Sequence, residues 1–275
     1  MASGTVVVTG ASSGIGEASV RHLTQLGFDV RAGVRKQEDA ERLRSQGVTP
    51  LMIDVTDAQS IAAARAELDG RPLAGLVNNA GVAVSSPLEH IPIESLRDQL
   101  EINLVGQIAV TQAFLPGLRA ARGRIVNVSS IGGRMALPLA GPYAASKFGL
   151  EGASDSLRRE LQGAVDVILV EPGGVKTPIW GKGVSAADEL LAAMPPEAER
   201  DYGAIADAMR REVAKIEAET GLEPEEVAEV IGRALTARRP RARYLVGRDA
   251  KLRATLAKWL PDRVMDRLVA RSLKG

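Results

Sequence analysis

Tyr143 and Lys147 stand four residues apart in Pro142-Tyr143-Ala144-Ala145-Ser146-Lys147, a spacing that stacks a phenol and an ammonium on one face of a helix. A free phenol, with a pKa of about 10, is a poor base at neutral pH; a cation beside it favours phenolate and makes the pair useful for moving a proton. By itself such a pairing is common on exposed helices. What singles it out is its place behind Ser129-Ser130, at the end of a β-branched run, where a serine hydroxyl can hydrogen-bond an oxygen that the phenol protonates. Near the N-terminus, Val6-Val7-Val8-Thr9-Gly10-Ala11-Ser12-Ser13-Gly14-Ile15-Gly16 reads as a strand, a glycine turn and a helix start. Gly10 permits the turn, Gly14 lets backbone approach a pyrophosphate, Gly16 lets the helix pack closely, and the unpaired N–H groups of the helix start face the anion. The glycine spacing alone also suits plain turn chemistry. Asp54, after the third apolar run, is placed to accept a hydrogen bond from an adenine amino group, or simply to open the next helix.

These groups need a scaffold that brings 9–16, 54, 129–130 and 143–147 together. Short β-branched runs predict strands at Thr5–Thr9, Asp29–Val34, Thr49–Ile53, Ala74–Asn78, Gly123–Val128 and Val165–Glu171, with a weaker one at Ala242–Val246. Helical patterns fall near 14–26, 38–46, 57–69, 94–120, 143–162 and 223–236. Strands that are apolar throughout are buried on both faces, and a helix between each pair makes neighbours parallel. The expected fold class is α/β, a doubly wound, mostly parallel sheet whose ligands sit outside the carboxyl ends of the strands.

Composition narrows the function. Hydrophobic residues make up 45% of the 275, enough for a large core, and 35 Lys plus Arg against 34 Asp plus Glu leave no field for steering onto nucleic acid. With no Cys, disulfides, thiolate zinc sites and cysteine nucleophiles are excluded. His22 and His90 fall on no catalytic motif, so no metal site is expected. The N-terminus lacks a charged segment followed by a long apolar stretch, and no window nears the roughly 18 apolar residues of a spanning helix, so a soluble cytoplasmic protein is expected. Residues 1–275 read as a single domain with a helical insertion at about 178–222 and a basic segment at about 238–275. Thirteen carboxylates against four cations over 185–229, and twelve cations against three carboxylates over 238–274, suggest mutual attraction. The stretch Lys251–Leu260 is amphipathic and basic enough for an anionic membrane, but one Trp and the break at Pro261 make a poor anchor, and packing on the domain or a partner subunit is the preferred reading.

TGASSGIG at 9–16, Asp54, NNAG at 78–81, Asn103, NVSS at 127–130, YAASK at 143–147 and PGGVKTP at 172–178 follow in the order and spacing of the short-chain dehydrogenases/reductases. Over about residues 4–180 the chain resembles the short, single-domain type of that family, which implies a Rossmann fold. The resemblance implies a catalytic set of Asn103, Ser130, Tyr143 and Lys147. It selects Ser130 over Ser129 as the partner of the reacting oxygen, makes Tyr143 the acid in carbonyl reduction and the base in alcohol oxidation, and has Asn103 hold a water behind Lys147. It also implies a nicotinamide dinucleotide on Gly10, Ser12, Ser13, Gly14, Ile15 and Gly16, on Asp54 and Val55, on Asn79, Ala80 and Gly81, and on Tyr143 and Lys147, with Val175 and Thr177 orienting the carboxamide. VRAGVRKQEDAERL and RYLVGRDAK are similar to members acting on steroids and retinoids.

An NAD-selective site needs a carboxylate at the end of the second strand; here Val34 is followed by Arg35 and Lys36, so NADP is expected, with Arg35 on its 2′-phosphate. The apolar residues Ile179, Trp180, Val184, Leu190, Leu191, Ala192, Met194, Ile205 and Met209 suit one wall of a pocket for a bulky apolar alcohol or carbonyl. Surplus apolar positions on 94–120 and 143–162, among them Ile102, Val105, Ala109, Leu115, Leu150, Leu157 and Leu161, predict a homodimer or homotetramer. Sugar-nucleotide epimerisation, whose enzymes carry a larger C-terminal domain, and an NADPH-binding regulator without turnover are the rival functions.

Overall fold

The computed structural model describes residues 2–272. Seven strands, β1 (Thr5–Val8), β2 (Asp29–Val34), β3 (Thr49–Met52), β4 (Leu73–Asn78), β5 (Arg124–Val128), β6 (Asp166–Pro172) and β7 (Arg243–Val246), form one sheet in the order β3-β2-β1-β4-β5-β6-β7. All six strand pairings are parallel, so the sheet is a doubly wound Rossmann sheet with no antiparallel edge among the described residues. Strand order reverses between β1 and β4, and the crevice at that switch point opens at their carboxyl ends.

Apolarity at consecutive strand positions has its reason in two cores. Val6, Val8, Val126, Val128, Ile168 and Val170 face one side, while Val7, Ile125 and Val167 face the other. Each such side chain contributes about 1.5–3 kcal/mol on burial, so neither face tolerates a polar replacement. The first core is closed by α1 (Gly14–Gln25) and α9 (Pro224–Thr236), and Gly232 of α9 lies so close that a Cβ would sit 2.6 Å from His22 Nε2. His22 is therefore a packed histidine. His90 stands edge-on to Tyr202, ring centroids 5.9 Å apart. The second core is covered by α3 (Ala58–Glu67), α5 (Gly106–Ala121) and α6 (Gly141–Glu160).

The helix expected over 94–120 is three pieces: α4 (Ile93–Leu100), a π-turn (Glu101–Val105) and α5. α2 (Gln37–Ser45) follows β2. The insertion folds as α7 (Pro178–Ala192) and α8 (Pro196–Lys215), each started by a proline that needs no N–H partner, and ends in a second π-turn at Ile216–Thr220. The basic segment supplies β7, α10 (Arg248–Trp259) and α11 (Asp262–Ser272). Its attraction to the acidic insertion is realised by Arg253, 3.3 Å from Glu212, whereas Arg243 turns to carboxylates of α6 and β6.

Candidate active site

The glycine turn after β1 is built against the loop after β4. Gly10 has φ +65°, and a Cβ there would lie 2.7 Å from Ala80 Cα; on Gly16 it would lie 2.1 Å from the Gly10 carbonyl oxygen. Thr9 Oγ1 accepts the N–H groups of Asn79 and Ala80 at 3.0 and 3.1 Å, and Asn79 Nδ2 donates to the carbonyls of Thr9 and Gly10 at 3.0 and 3.1 Å. The Asn79 amide thus holds the turn while the residue lines the cleft. From the other side Arg42 of α2 donates to the Ser12 carbonyl at 2.6 Å and to Glu17 at 2.8 Å. No local pattern marks Arg42, because both contacts are distant in sequence.

A row of buried polar side chains does the same for the opposite wall. Gln99, Asn103, Gln107 and Thr111 recur every four residues along α4, the π-turn and α5. Gln99 accepts the Val84 N–H at 2.7 Å and donates to the Val82 carbonyl at 2.8 Å; Gln107 donates to the Ala80 carbonyl at 2.8 Å; Thr111 Oγ1 accepts from Asn78 Nδ2 at 2.8 Å. Asn103 exchanges both bonds with the backbone of Val82, each at 2.9 Å, and donates to Ser146 Oγ at 3.1 Å on the helix that carries Tyr143. Each amide satisfies loop groups that burial would otherwise leave costly. Loop 80–84 is thereby pinned where it lines the cleft. The four-residue spacing is the signal by which the sequence announces this row.

Ser130, Tyr143 and Lys147 meet at the carboxyl ends of β5 and β6. Ser130 Oγ accepts the Gly132 N–H at 3.0 Å, and a Cβ on Gly132 would stand 3.1 Å from the Tyr143 ring, so a side chain there would press on the phenol. Lys147 Nζ lies 5.8 Å from the Tyr143 ring centroid and donates to the Val128 carbonyl at 2.9 Å. Burial pushes the phenol up from its ordinary value, a hydrogen bond with Ser130 pulling the other way. Burial thus opposes the pull toward phenolate that the neighbouring Lys147 cation exerts. Burial brings the Lys147 ammonium down to about 8, opposed by the negative charge of Glu151.

A buried ion network that the motifs do not mark underlies this corner. Glu171, with none of its side chain exposed, is gripped by Arg134 through both Nε and Nη2, the latter at 2.9 Å, and by Arg243 at 3.2 Å. Arg243 also reaches Glu151 at 3.2 Å and Asp155 at 2.9 Å, tying α6 to β7. Burial, then the neighbouring Glu171 charge, pushes the Glu151 carboxyl up, while a hydrogen bond from Arg243 holds Asp155 at about 2. The turn after Ser130 is thus locked to β6, immediately before the loop of Val175 and Thr177. Only the one-turn steps Lys147 to Glu151 and Glu151 to Asp155 on α6 were readable as local spacings.

The cleft these walls enclose has a volume of about 520 Å³. Of the residues expected around a dinucleotide, all but Gly16 line it; of the four expected in catalysis, all but Asn103 do. Gly16 and Asn103 lie behind the surface, the first packed on Gly10 and the second on Val82. Asp54 gives one carboxylate oxygen to Thr56 and has the other 3.8 Å from Arg35, at the rim after β2 and β3. Thr177 heads α7 and packs on Gly14. A glycine cradle that a Cβ would fill, a guanidinium at the rim and the two helix-held polar walls fit a nicotinamide dinucleotide. Next to this cleft, sharing Ala83 and Trp180, is a smaller apolar recess of about 50 Å³ lined by Val184, Leu191, Met194 and Met209. Leu190, Ala192 and Ile205 of the expected pocket wall lie outside it.

The sequence model of the short chain dehydrogenases matches residues 4–187. The chain belongs to that family. It is 39% identical over 282 residues to an NADPH-dependent 3-dehydrocapnine reductase of Ornithobacterium rhinotracheale, covering 98% of this chain and 96% of that one. It is 38% identical to the 17-beta-hydroxysteroid dehydrogenase type 6 of Bos taurus, over 97% of this chain and 88% of the relative. A crystal structure of a short chain dehydrogenase from Burkholderia cenocepacia in complex with NADP superposes with a TM-score of 0.75 at 27% identity, 97% of each chain covered. This short-chain dehydrogenase is accordingly an NAD(P)-dependent oxidoreductase of CH–OH or carbonyl groups.

Proposed function

We propose that the enzyme interconverts a bulky apolar alcohol and its ketone or aldehyde with NADP, Tyr143 acting as general acid and base. The observation that carries this reading is the meeting of the Tyr143 phenol, the Ser130 hydroxyl and the Lys147 ammonium in one cleft with the glycine cradle. In reduction Tyr143 gives its proton to the carbonyl oxygen, which Ser130 also hydrogen-bonds; in oxidation the proton returns. A phenol kept protonated by burial suits the reductive direction. Bound nicotinamide supplies or accepts the hydride. Lys147 favours the phenolate left after transfer, and Asn103 fixes the loop and helix between which the proton moves, with a water behind Lys147 as its outlet. Cofactor oxidation across a panel of carbonyl compounds tests the assignment; tight NADPH binding with turnover of none would make the chain a regulator instead.

For the cofactor, Val34 offers no carboxylate to repel a 2′-phosphate, and Arg35, largely exposed, stands at the rim. The NADPH dependence of the Ornithobacterium relative supports the same choice. A charge-assisted hydrogen bond is worth about 1.5–3 kcal/mol, so Arg35→Ala is expected to weaken NADP binding roughly 10- to 100-fold and leave NAD binding unchanged. Equal losses for the two cofactors in a fluorescence titration would reject Arg35 as the selecting residue.

Residues 178–222 serve, in this reading, as the substrate-facing insertion of a single domain. Trp180, tilted against Tyr143 with centroids 6.4 Å apart, bridges the catalytic cleft and the apolar recess. The recess holds only part of a large substrate, the remainder lying along the Tyr143 side of the main cleft. Assembly is expected through α5 and α6. Ile102, Ala109, Leu115, Leu150, Leu157 and Leu161 are taken up by the monomer's own core, but Val105, Ile108 and Phe148 remain exposed. A closed two-fold pairing buries them. Light scattering should give a dimer or tetramer, and a fully active monomer at micromolar concentration would contradict this.

A further inference from the structure

α10 turns one side to the protein. Ala250 and Ala254 are buried against Ile131 and Leu245, and Asp249 is turned inward to accept the Gly174 N–H at 3.1 Å. At 3.6 residues per turn, Leu252 and Trp259 fall on the opposite side, where they are 60% and 72% exposed. Arg248 shares that side, and Lys251 and Lys258 flank it, the Lys258 ammonium 4.9 Å from the Trp259 ring centroid; all three are exposed, and no carboxylate of α10 joins them. After Pro261, α11 continues the pattern: exposed Val264 and Leu268 form one row, and Arg263, Arg267 and Arg271 the next. None of its residues is buried. Only Met265 and Val269 are half-buried, and a helix of 11 residues with so small a packed face is marginal in water, so α11 asks for a further surface to lie on. The sequence favoured packing on the domain or a partner subunit; on the domain itself only the two alanines of α10 are buried.

We propose that the outer faces of α10 and α11 dock on an anionic lipid bilayer, Leu252, Trp259, Val264 and Leu268 entering the interfacial layer while the cations meet the headgroups. Aromatic and aliphatic side chains ringed by Lys and Arg on a helix are the pattern of interfacial binding, and each cation near an anionic surface adds about 1 kcal/mol. A second copy is the poorer occupant, because a two-fold pairing of this face sets cation against cation.

Co-sedimentation of the full chain with vesicles decides the matter. Binding to mixed phosphatidylglycerol and phosphatidylcholine vesicles is expected to exceed binding to phosphatidylcholine alone by at least about tenfold and to fall with salt. Lys251→Ala and Lys258→Ala should each weaken it roughly fivefold, and Leu252→Ser with Trp259→Ser should abolish it while thermal unfolding stays unchanged. In the unmutated chain, lipid brominated on its acyl chains should quench tryptophan fluorescence. Equal or absent binding to the two vesicle types, no quenching, or self-association that Trp259→Ser abolishes would overturn the proposal.

Discussion

Replacing Tyr143 by phenylalanine is expected to lower turnover roughly 10²- to 10⁴-fold, the range spanned by a positioned general acid, and to leave NADP affinity within about twofold. The two effects separate because only the hydroxyl is removed. The ring keeps its place beside Gly132 and Trp180, and the glycine turn, held by Thr9, Asn79 and Arg42, does not touch the phenol. Turnover followed by cofactor absorbance and binding followed by fluorescence measure them independently. A Tyr143→Phe enzyme within about tenfold of the parent would take the phenol out of the mechanism.

Lys147→Ala should damage both quantities. Its ammonium is buried, donates to the Val128 carbonyl and lies beside the Tyr143 ring, where a cation favours the phenolate left by proton transfer. Turnover is expected to fall at least about 10²-fold. The family resemblance implies that this ammonium also reaches the cofactor ribose; loss of such a charged hydrogen bond costs about 1.5–3 kcal/mol, so NADP affinity should fall roughly 10- to 100-fold. With the lysine at about 8, the group is charged below that pH and neutral above it, and cofactor binding should weaken as pH rises through about 8. Lys147→Arg keeps its charge across this window and should lose that pH dependence, whatever its turnover. An alanine variant that binds NADP as the parent does would restrict Lys147 to the proton transfer.

The strands were legible because β1, β4, β5 and β6 are apolar at consecutive positions, a pattern that only burial on both faces explains. The cleft was legible because ligands of such a sheet gather at the strand ends, and the expected residues line it with the exceptions of Gly16 and Asn103. What escaped was set by contacts between distant segments. The π-turn at Glu101–Val105 interrupts a sequence that is helical by every local measure, and Asn103 within it bonds Val82, twenty-one residues away. The Arg134, Arg243 and Glu171 cluster joins three elements and has no local spacing at all. Apolar positions on α5 and α6 were read as surplus, but periodicity does not say which of them the sheet absorbs; Leu150 and Leu161 went inward, while Phe148 stayed out.

In the proposed reaction the cleft carries a hydride between NADP and a carbonyl carbon while Tyr143 supplies the proton to its oxygen. Reduction of a lipophilic ketone with NADPH deuterated at the transferring position, followed by mass spectrometry of the alcohol, tests it most directly. The product should carry one deuterium on the carbinol carbon, at a rate that collapses in Tyr143→Phe. Alcohol free of deuterium, or formed as fast by Tyr143→Phe as by the parent, would contradict it.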